Sequence, residues 1–256
     1  MPELKLDSVR ILRPADVRPA AECLRDIVHD LIGFRVAVCH NIAVRQPMVD
    51  ADGEILATSV FGWTDRETDR WWCTPQLALA SPLPTACRYE SEPFWCNATG
   101  FRTRLPNTML DALDLTDFER RGLTRSAIVV PIHQPFGRIG AASIIPTDPA
   151  VLDLSAEFEA YGDTFGLLVR TFVSGYARAM SSAERLPIGP LLSKREVECL
   201  RWAAVGKTDN EIGLILSRSQ ATVRFHMHNA SVKLDAVNRS QALFKATQLG
   251  YIGLHN

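Results

Sequence analysis

Apolar positions fall into two rhythms along this chain. Between residues 155 and 182, Phe158, Tyr161, Phe165, Leu168, Phe172, Tyr176 and Met180 recur every three or four residues, the stripe of one long helix. Such a stripe predicts core. The glycines set into it, Gly162, Gly166 and Gly175, also leave room for part of it to pack against a second subunit. Upstream, residues 34–45 and 54–62 flank Asp50-Ala51-Asp52-Gly53, and residues 126–133 and 139–145 flank Gln134-Pro135-Phe136-Gly137-Arg138. Each pair reads as a β-hairpin around a turn. Helical patterns at residues 14–32 and around 106–121 complete an N-terminal α/β/α sandwich with a central antiparallel sheet. Between the hairpins lies an aromatic and cysteine-rich segment, DRWWCTPQLALASPLPTACRYESEPFWCN.

After the long helix, LPIGPL at residues 186–191 carries two prolines and a glycine and predicts a linker. The expected organisation is a front domain over 1–185, that linker, and a tail domain over 192–256. In the tail, Ser193-Lys-Arg-Glu196 and Thr208-Asp-Asn-Glu211 are both S/T-x-x-E capping boxes. The first helix is expected to bury Val197, Leu200 and Trp202 or Ala204 and to stop at Gly206. The second, over 210–216, should turn Ile212, Ile215 and Leu216 inward. A third follows the N-cap Ser219 and runs to about Leu234, and a fourth follows Asn238 and ends near Gly250. Four short helices, the second and third joined by a tight turn, describe an all-α helix-turn-helix domain whose third helix enters a major groove.

Charge sharpens this picture. The net formal charge of −1 hides an uneven distribution. From Pro190 onward nine Lys or Arg stand against five acids, whereas the preceding chain is net acidic and holds a single lysine. A basic tail on an acidic front suggests a phosphate-bearing partner for the tail. No apolar run approaches the roughly 18 residues of a membrane span, and the start MPELKLDSV lacks the regions of a signal peptide. A cytoplasmic protein with no membrane partner is expected. The six cysteines form no C-x-x-C pair, so free thiols are expected and no metal or other cofactor.

The third tail helix contains SRSQATVRFHMHNASVKL, with histidines two residues apart. At 100° per residue, His226 and His228 lie about 200° apart around the helix and cannot share a metal ion. Val223, His226, Met227, Ala230 and Leu234 make the inner face. Arg224, Phe225, His228 and Ser231 point outward. His226 therefore belongs with the core, and His228 stands near Arg224, able to approach base edges or phosphates.

The run from Leu192, with its L-S-x-R-E start, its W-x-A-x-G-K-T turn, E-I, T-V-x-F-H-x-x-N-A, K-L and N-R-x-Q-A, closely resembles the DNA-binding domain of LuxR-type transcriptional regulators. The resemblance implies that Arg224, Phe225 and His228 face bases, with Lys207, Ser219, Gln220, Thr222, Lys233 and Arg239 nearer the phosphates. It also implies a homodimer on a two-fold operator, and contact with RNA polymerase. Members with F-H-x-x-N-A usually carry a front domain that encloses an acyl-homoserine-lactone signal, and Gly122-Leu123, Pro131, His133, Gly137 and Gly140 fit that outline. On the family's pattern Trp72 takes an aromatic position, Trp95 a later tryptophan, and Ser81-Pro82 the place of an Asp-Pro pair. Ser81 thus stands where a carboxylate would accept from the ligand amide, Ser126 where glycine is usual, and Thr68 where a tryptophan is usual. Losing a charge-assisted acceptor for a buried amide costs on the order of 1.5–3 kcal/mol, roughly ten- to hundredfold in affinity. The implied ligand is a small apolar signal, either acyl-homoserine-lactone-like or a non-lactone substitute, lined by Trp63, Trp72, Ser81, Trp95, Phe101 and Ser126. The alternative is a ligand-independent or thiol-sensing transcription factor with a degenerate pocket, using Cys73, Cys87 or Cys96. A phosphorylated receiver needs an acidic pair after a first parallel strand, which the first forty residues lack. An enzyme needs a nucleophile motif, and none is present.

Overall fold

The computed structural model describes residues 6–44, 46–63, 79–180 and 191–253. They form two compact units, one within residues 6–180 and one from Leu191 onward.

The front unit is built on a five-stranded antiparallel sheet with strand order β1-β5-β4-β2-β3. Its strands are β1 (Arg35–Cys39), β2 (Phe94–Asn97), β3 (Gly100–Arg102), β4 (Ser126–Gln134) and β5 (Arg138–Ile145). The β4–β5 hairpin forms as its pattern predicts, closing through Gln134↔Arg138. The first expected hairpin does not. The turn itself is real, because the Asp50 carboxylate accepts from the backbone N–H groups of Asp52 (3.0 Å) and Glu54 (2.9 Å). Beyond one bridge, Val49↔Ile55, the chain becomes the helix α2 (Leu56–Ser59), and β1 pairs with β5 instead. Leu56, Val60 and Phe61 are buried, a helical spacing that the apolar content of residues 54–62 concealed. Residues 106–121 likewise split into α4 (Thr108–Asp111) and α5 (Phe118–Gly122). Asp114 captures the Thr116 N–H and the Arg121 guanidinium between them, a local side-chain turn that competes with helix.

Helix α1 (Val17–Ile32) and the long helix α6 (Ser155–Met180) cover one sheet face. Ile128, Val130 and Ile132 of β4 point into that core. The alternate residues Ala127 and Val129 point the other way, to a second core shared with Phe94, Cys96, α3 (Pro82–Ala86) and Phe118. In α6 Phe158, Phe165, Leu168, Phe172 and Tyr176 are buried, as the stripe requires. Gly175 is there for a contact within the chain, since a Cβ on it would sit 3.0 Å from the Ile11 carbonyl oxygen.

The second unit contains α7 (Lys194–Ala204), α8 (Asp209–Leu216), α9 (Gln220–Lys233) and α10 (Arg239–Gln248). Its core is Cys199, Leu200, Ala203, Ile212, Val223, Met227, Ala230, Leu234, Ala242, Ala246 and Ile252. Leu200 is buried as expected, but the rest of the inner face of α7 is turned one residue from the expected one. Ala203 is buried while Ala204 is exposed and Val197 and Trp202 are half-buried, because the Ser193 cap fixes the helix start and Glu196 occupies an inward position. Ile215 is 42% exposed. A helix of eight residues presents barely two turns to its neighbours, and α8 does so through Ile212 and Gly213.

Candidate functional site

Each helix of the second unit starts on a side-chain cap. Ser193, Thr208, Ser219 and Asn238 accept from the N–H groups of Glu196, Glu211, Thr222 and Gln241, and the first two caps are the full boxes that the sequence predicts. Helix α8 ends on Ser217 in the left-handed region (φ 52°), and the Arg218 N–H donates to the Gly213 carbonyl at 2.8 Å. The turn is tight enough that a Cβ on Gly213 would lie 2.7 Å from the Arg218 carbonyl oxygen. Three residues, Ser217 to Ser219, then separate α8 from α9.

Helix α9 is divided lengthwise. Val223, Met227 and Ala230 are buried, and Arg224, Phe225 and His228 are exposed, Phe225 at 61%. His226 is half-buried with its ring 5.7 Å from that of Phe225. Among the described residues no group of three His, Cys, Asp or Glu side chains could hold a metal ion.

Around this exposed face the structure sorts the expected phosphate contacts into two kinds. Gln220 and Ser219 are exposed at the start of α9 with Thr222 half-buried beside them, and Ser219 and Thr222 share a hydroxyl hydrogen bond of 2.8 Å. Lys207 is paired loosely with Glu211 at 3.7 Å. Lys233 and Arg239, by contrast, are tied into the domain. The Lys233 ammonium donates to the buried Glu196 carboxylate at 2.9 Å and to the Leu191 carbonyl at 3.3 Å. Arg239 donates to Asp209 at 2.6 Å and to the Lys207 carbonyl at 2.8 Å. Burial would raise the Glu196 carboxyl, but the Lys233 ammonium and the Ser193 N–H outweigh it and hold it below its ordinary value. Arg218, exposed in the turn itself, is not among the expected contacts, although a basic residue just before an N-cap is a signal for one.

In the front unit the sheet separates the expected ligand residues. Trp63 and Trp95 pack on the α1/α6 side, and Ser126 shares that side because β4 alternates and its neighbour Ala127 faces the other core. Phe101 belongs to the opposite core, its ring 5.8 Å from Phe94, and Ser81 immediately precedes α3 on that side. The polar handles of Trp63 and Ser126 are already used. The Trp63 indole N–H donates to the Val36 carbonyl at 2.7 Å, and the Ser126 hydroxyl donates to the Val151 carbonyl at 2.6 Å. Ser81 is 7% exposed and its hydroxyl makes no capping bond to α3. Trp72, Thr68, Cys73 and residues 186–190 of the expected linker lie outside the described residues. His133 joins β4 to the end of α3, its Nε2–H donating to the Cys87 carbonyl at 3.0 Å.

Of the candidate sensing thiols, Cys87 and Cys96 are buried, and Cys39 beside them is half-buried. Desolvation pushes both Cys39 and Cys87 up to about 12 and Cys96 higher still, so the nucleophilic thiolate is scarce at neutral pH.

Residues 190–246 match the sequence family described as "Bacterial regulatory proteins, luxR family". The HTH-type quorum sensing-dependent transcriptional regulator RpaR of Rhodopseudomonas palustris is 32% identical over 194 residues, covering 75% of this chain and 74% of RpaR. The chain belongs to the luxR family. Its family-matched segment takes in α7, α8, α9 and most of α10, and the 194-residue alignment reaches well into the front unit. Other family relatives match over less of their length. The transcriptional activator VanR of Vibrio anguillarum is 35% identical over 128 residues, 50% of this chain and 52% of VanR. The regulator VjbR of Brucella abortus is 49% identical over 67 residues, 26% of each chain. The chain therefore spans about half the length of the first and about a quarter of the second. Among solved structures, Escherichia coli SdiA aligns over 91% of this chain and 92% of its own, with 21% identity and a TM-score of 0.43, a likeness too loose to carry residue positions across. The luxR family consists of regulatory proteins rather than enzymes.

Proposed function

We propose that this chain is a signal-responsive transcription regulator that binds a two-fold DNA site as a homodimer and acts on RNA polymerase from there. The observation that carries the reading is the divided surface of α9. Its inner face is locked into the helical core by Val223, Met227 and Ala230, which leaves Arg224, Phe225 and His228 outward on a rigid helix after a tight turn. A major groove admits such a helix, and arginine is the side chain best matched to guanine there. Lys207, Ser219, Gln220 and Thr222 flank the face and fit backbone phosphates. Lys233 and Arg239 shape the domain through Glu196 and Asp209 and approach phosphates with charges already shared.

In this reading the front domain, residues 1–185, takes a small apolar signal and joins the two protomers, and binding changes how the tails at 192–256 meet DNA. The Ser81 and Phe101 side of the sheet is the better place for the signal. Trp63 and Ser126 on the other side have spent their donors on backbone carbonyls, whereas Ser81 is buried beside an apolar core with a hydroxyl not used in capping. Ser81 in place of a carboxylate favours a ligand without the usual amide, a non-lactone substitute. Among the described residues no helix is long and apolar enough to cross a membrane, which accords with a cytoplasmic regulator.

The test is fluorescence anisotropy with a duplex enriched from a random pool by the wild-type chain, compared with a shuffled duplex of equal length. Arg224→Ala should lose affinity for the enriched duplex more than for the shuffled one. Lys207→Ala should weaken both alike and flatten the salt slope by about one. Equal loss of specificity in the two variants would overturn the assignment of α9.

A further inference from the structure

Asp209, the first residue of α8, sits among three helices, and no expectation from the sequence gave it a role. Its two carboxylate oxygens are used separately. Oδ1 accepts from Nη1 of Arg239 on α10 at 2.6 Å, and the other arm of the same guanidinium, Nη2, donates to the Lys207 carbonyl at 2.8 Å. That fork fixes the carboxylate in place. Oδ2 faces Nε of Arg224 on α9 at 3.7 Å. Asp209 is 21% exposed and Arg224 67%, so an anchored acid stands behind a solvent-facing arginine.

The atom that meets Asp209 matters. At 3.7 Å the contact of Nε with the carboxylate is an ion pair rather than a hydrogen bond, and it leaves the end of the guanidinium that carries Nη1 and Nη2 for another partner. Those are two parallel donors, which suit the O6 and N7 acceptors of one guanine. The carboxylate also repels a phosphate that would otherwise draw the same guanidinium aside.

We propose that Asp209 is a positioning residue for sequence reading: through Arg224 it holds the guanidinium end-on to the groove and steers it to a guanine in preference to the DNA backbone. The proposal rests on the reading that Arg224 faces bases. Without Asp209, Arg224 swings to the nearest phosphate, so the domain binds DNA more tightly and discriminates less.

The experiment uses the full chain, the duplex enriched from a random pool, and single G·C to A·T replacements in it. The wild type should discriminate at one guanine by about tenfold or more, within the range of a bidentate contact. Arg224→Ala should abolish that discrimination. Asp209→Asn should reduce it to about threefold or less while tightening binding to a shuffled duplex about two- to threefold and steepening its salt slope by up to about one. In the Arg224→Ala background, Asp209→Asn should leave discrimination unchanged. Full discrimination in Asp209→Asn overturns the role of Asp209 and leaves the DNA reading intact. Full discrimination in Arg224→Ala overturns the underlying reading itself. Asp209 also holds α10, so Asp209→Ser is run alongside with thermal melts of both variants. If both melt early, the test passes to the DNA-free wild type, where the Arg224 Nε–Hε resonance, assigned by its loss in Arg224→Ala, should stand apart from those of solvated arginines. A resonance at the solvated position overturns the proposal.

Discussion

Replacing Lys233 by methionine isolates the buried charge on which the helical unit is organised. Glu196 is 4% exposed and receives two donors, the Ser193 N–H at 2.6 Å and the Lys233 ammonium at 2.9 Å. The first closes the cap of α7, and the second joins α7 to the last turn of α9. Methionine fills the lysine stem but leaves the carboxylate charged, buried and without its counter-ion. Removing one partner of a buried pair costs about 3–5 kcal/mol. The Lys233 side chain is 27% exposed, and water screens part of the loss, so about 2–3 kcal/mol is expected here. Hydrogen–deuterium exchange of peptides covering α9 reads this out, and opening should become about 30- to 150-fold more frequent at pH 7. The sign of the pH dependence follows from the depressed Glu196 carboxyl. A carboxyl lowered in the folded state stabilises the fold above its ordinary value, near 4.5, and that contribution is lost as pH falls through the folded value. The gap between wild type and Lys233→Met should therefore narrow below about pH 4.5. The double variant Glu196→Gln with Lys233→Met should recover part of the loss, because no charge is then stranded. Exchange within about twofold of wild type at pH 7, or a gap that persists in acid, would refute the reasoning.

Two further measurements bear on the front unit. Ser81→Asp should raise the melting temperature of the chain in the presence of an amide-bearing acyl-homoserine lactone relative to its absence, with a gain in affinity of roughly ten- to hundredfold over wild type; an unchanged ligand-dependent melt would remove Ser81 from the signal site. Mass-spectrometric mapping of thiol alkylation at pH 8 should find Cys87 and Cys96 unmodified in the native chain and modified only after unfolding, because desolvation keeps both protonated. Rapid native modification of either would revive the thiol-sensing alternative.

Much of the helical unit was legible because its determinants are local. A serine or threonine three residues before a glutamate caps a helix by contacts within a single turn, and both boxes form where they are written. The 100° step likewise separates His226 from His228 with no knowledge of neighbours. The β4–β5 hairpin was readable for the same reason, since strand, turn and strand are contiguous. The β2–β3 hairpin is harder to read: Phe94 and Cys96 alternate with Trp95 and Asn97 ahead of a turn ending at Gly100, but the aromatic content of the segment reads equally as a pocket lining.

What the sequence determined by itself is therefore the helix starts of the tail and its divided third helix, which depend on residues within a few positions of one another, and its kinship to a family of regulators, which rests on a series of such short motifs along residues 190–246. The tertiary structure decided which partner a strand or a charge would find. β1 pairs with β5 across a hundred residues of chain, and the strand alternation sends Trp95 and Phe101 to opposite faces of the sheet. Lys233 goes to Glu196, and Asp209 lies between Arg239 and Arg224. Charges and strand edges have many partners open to them in an extended chain. Only the packing of the cores decides which of them come within reach.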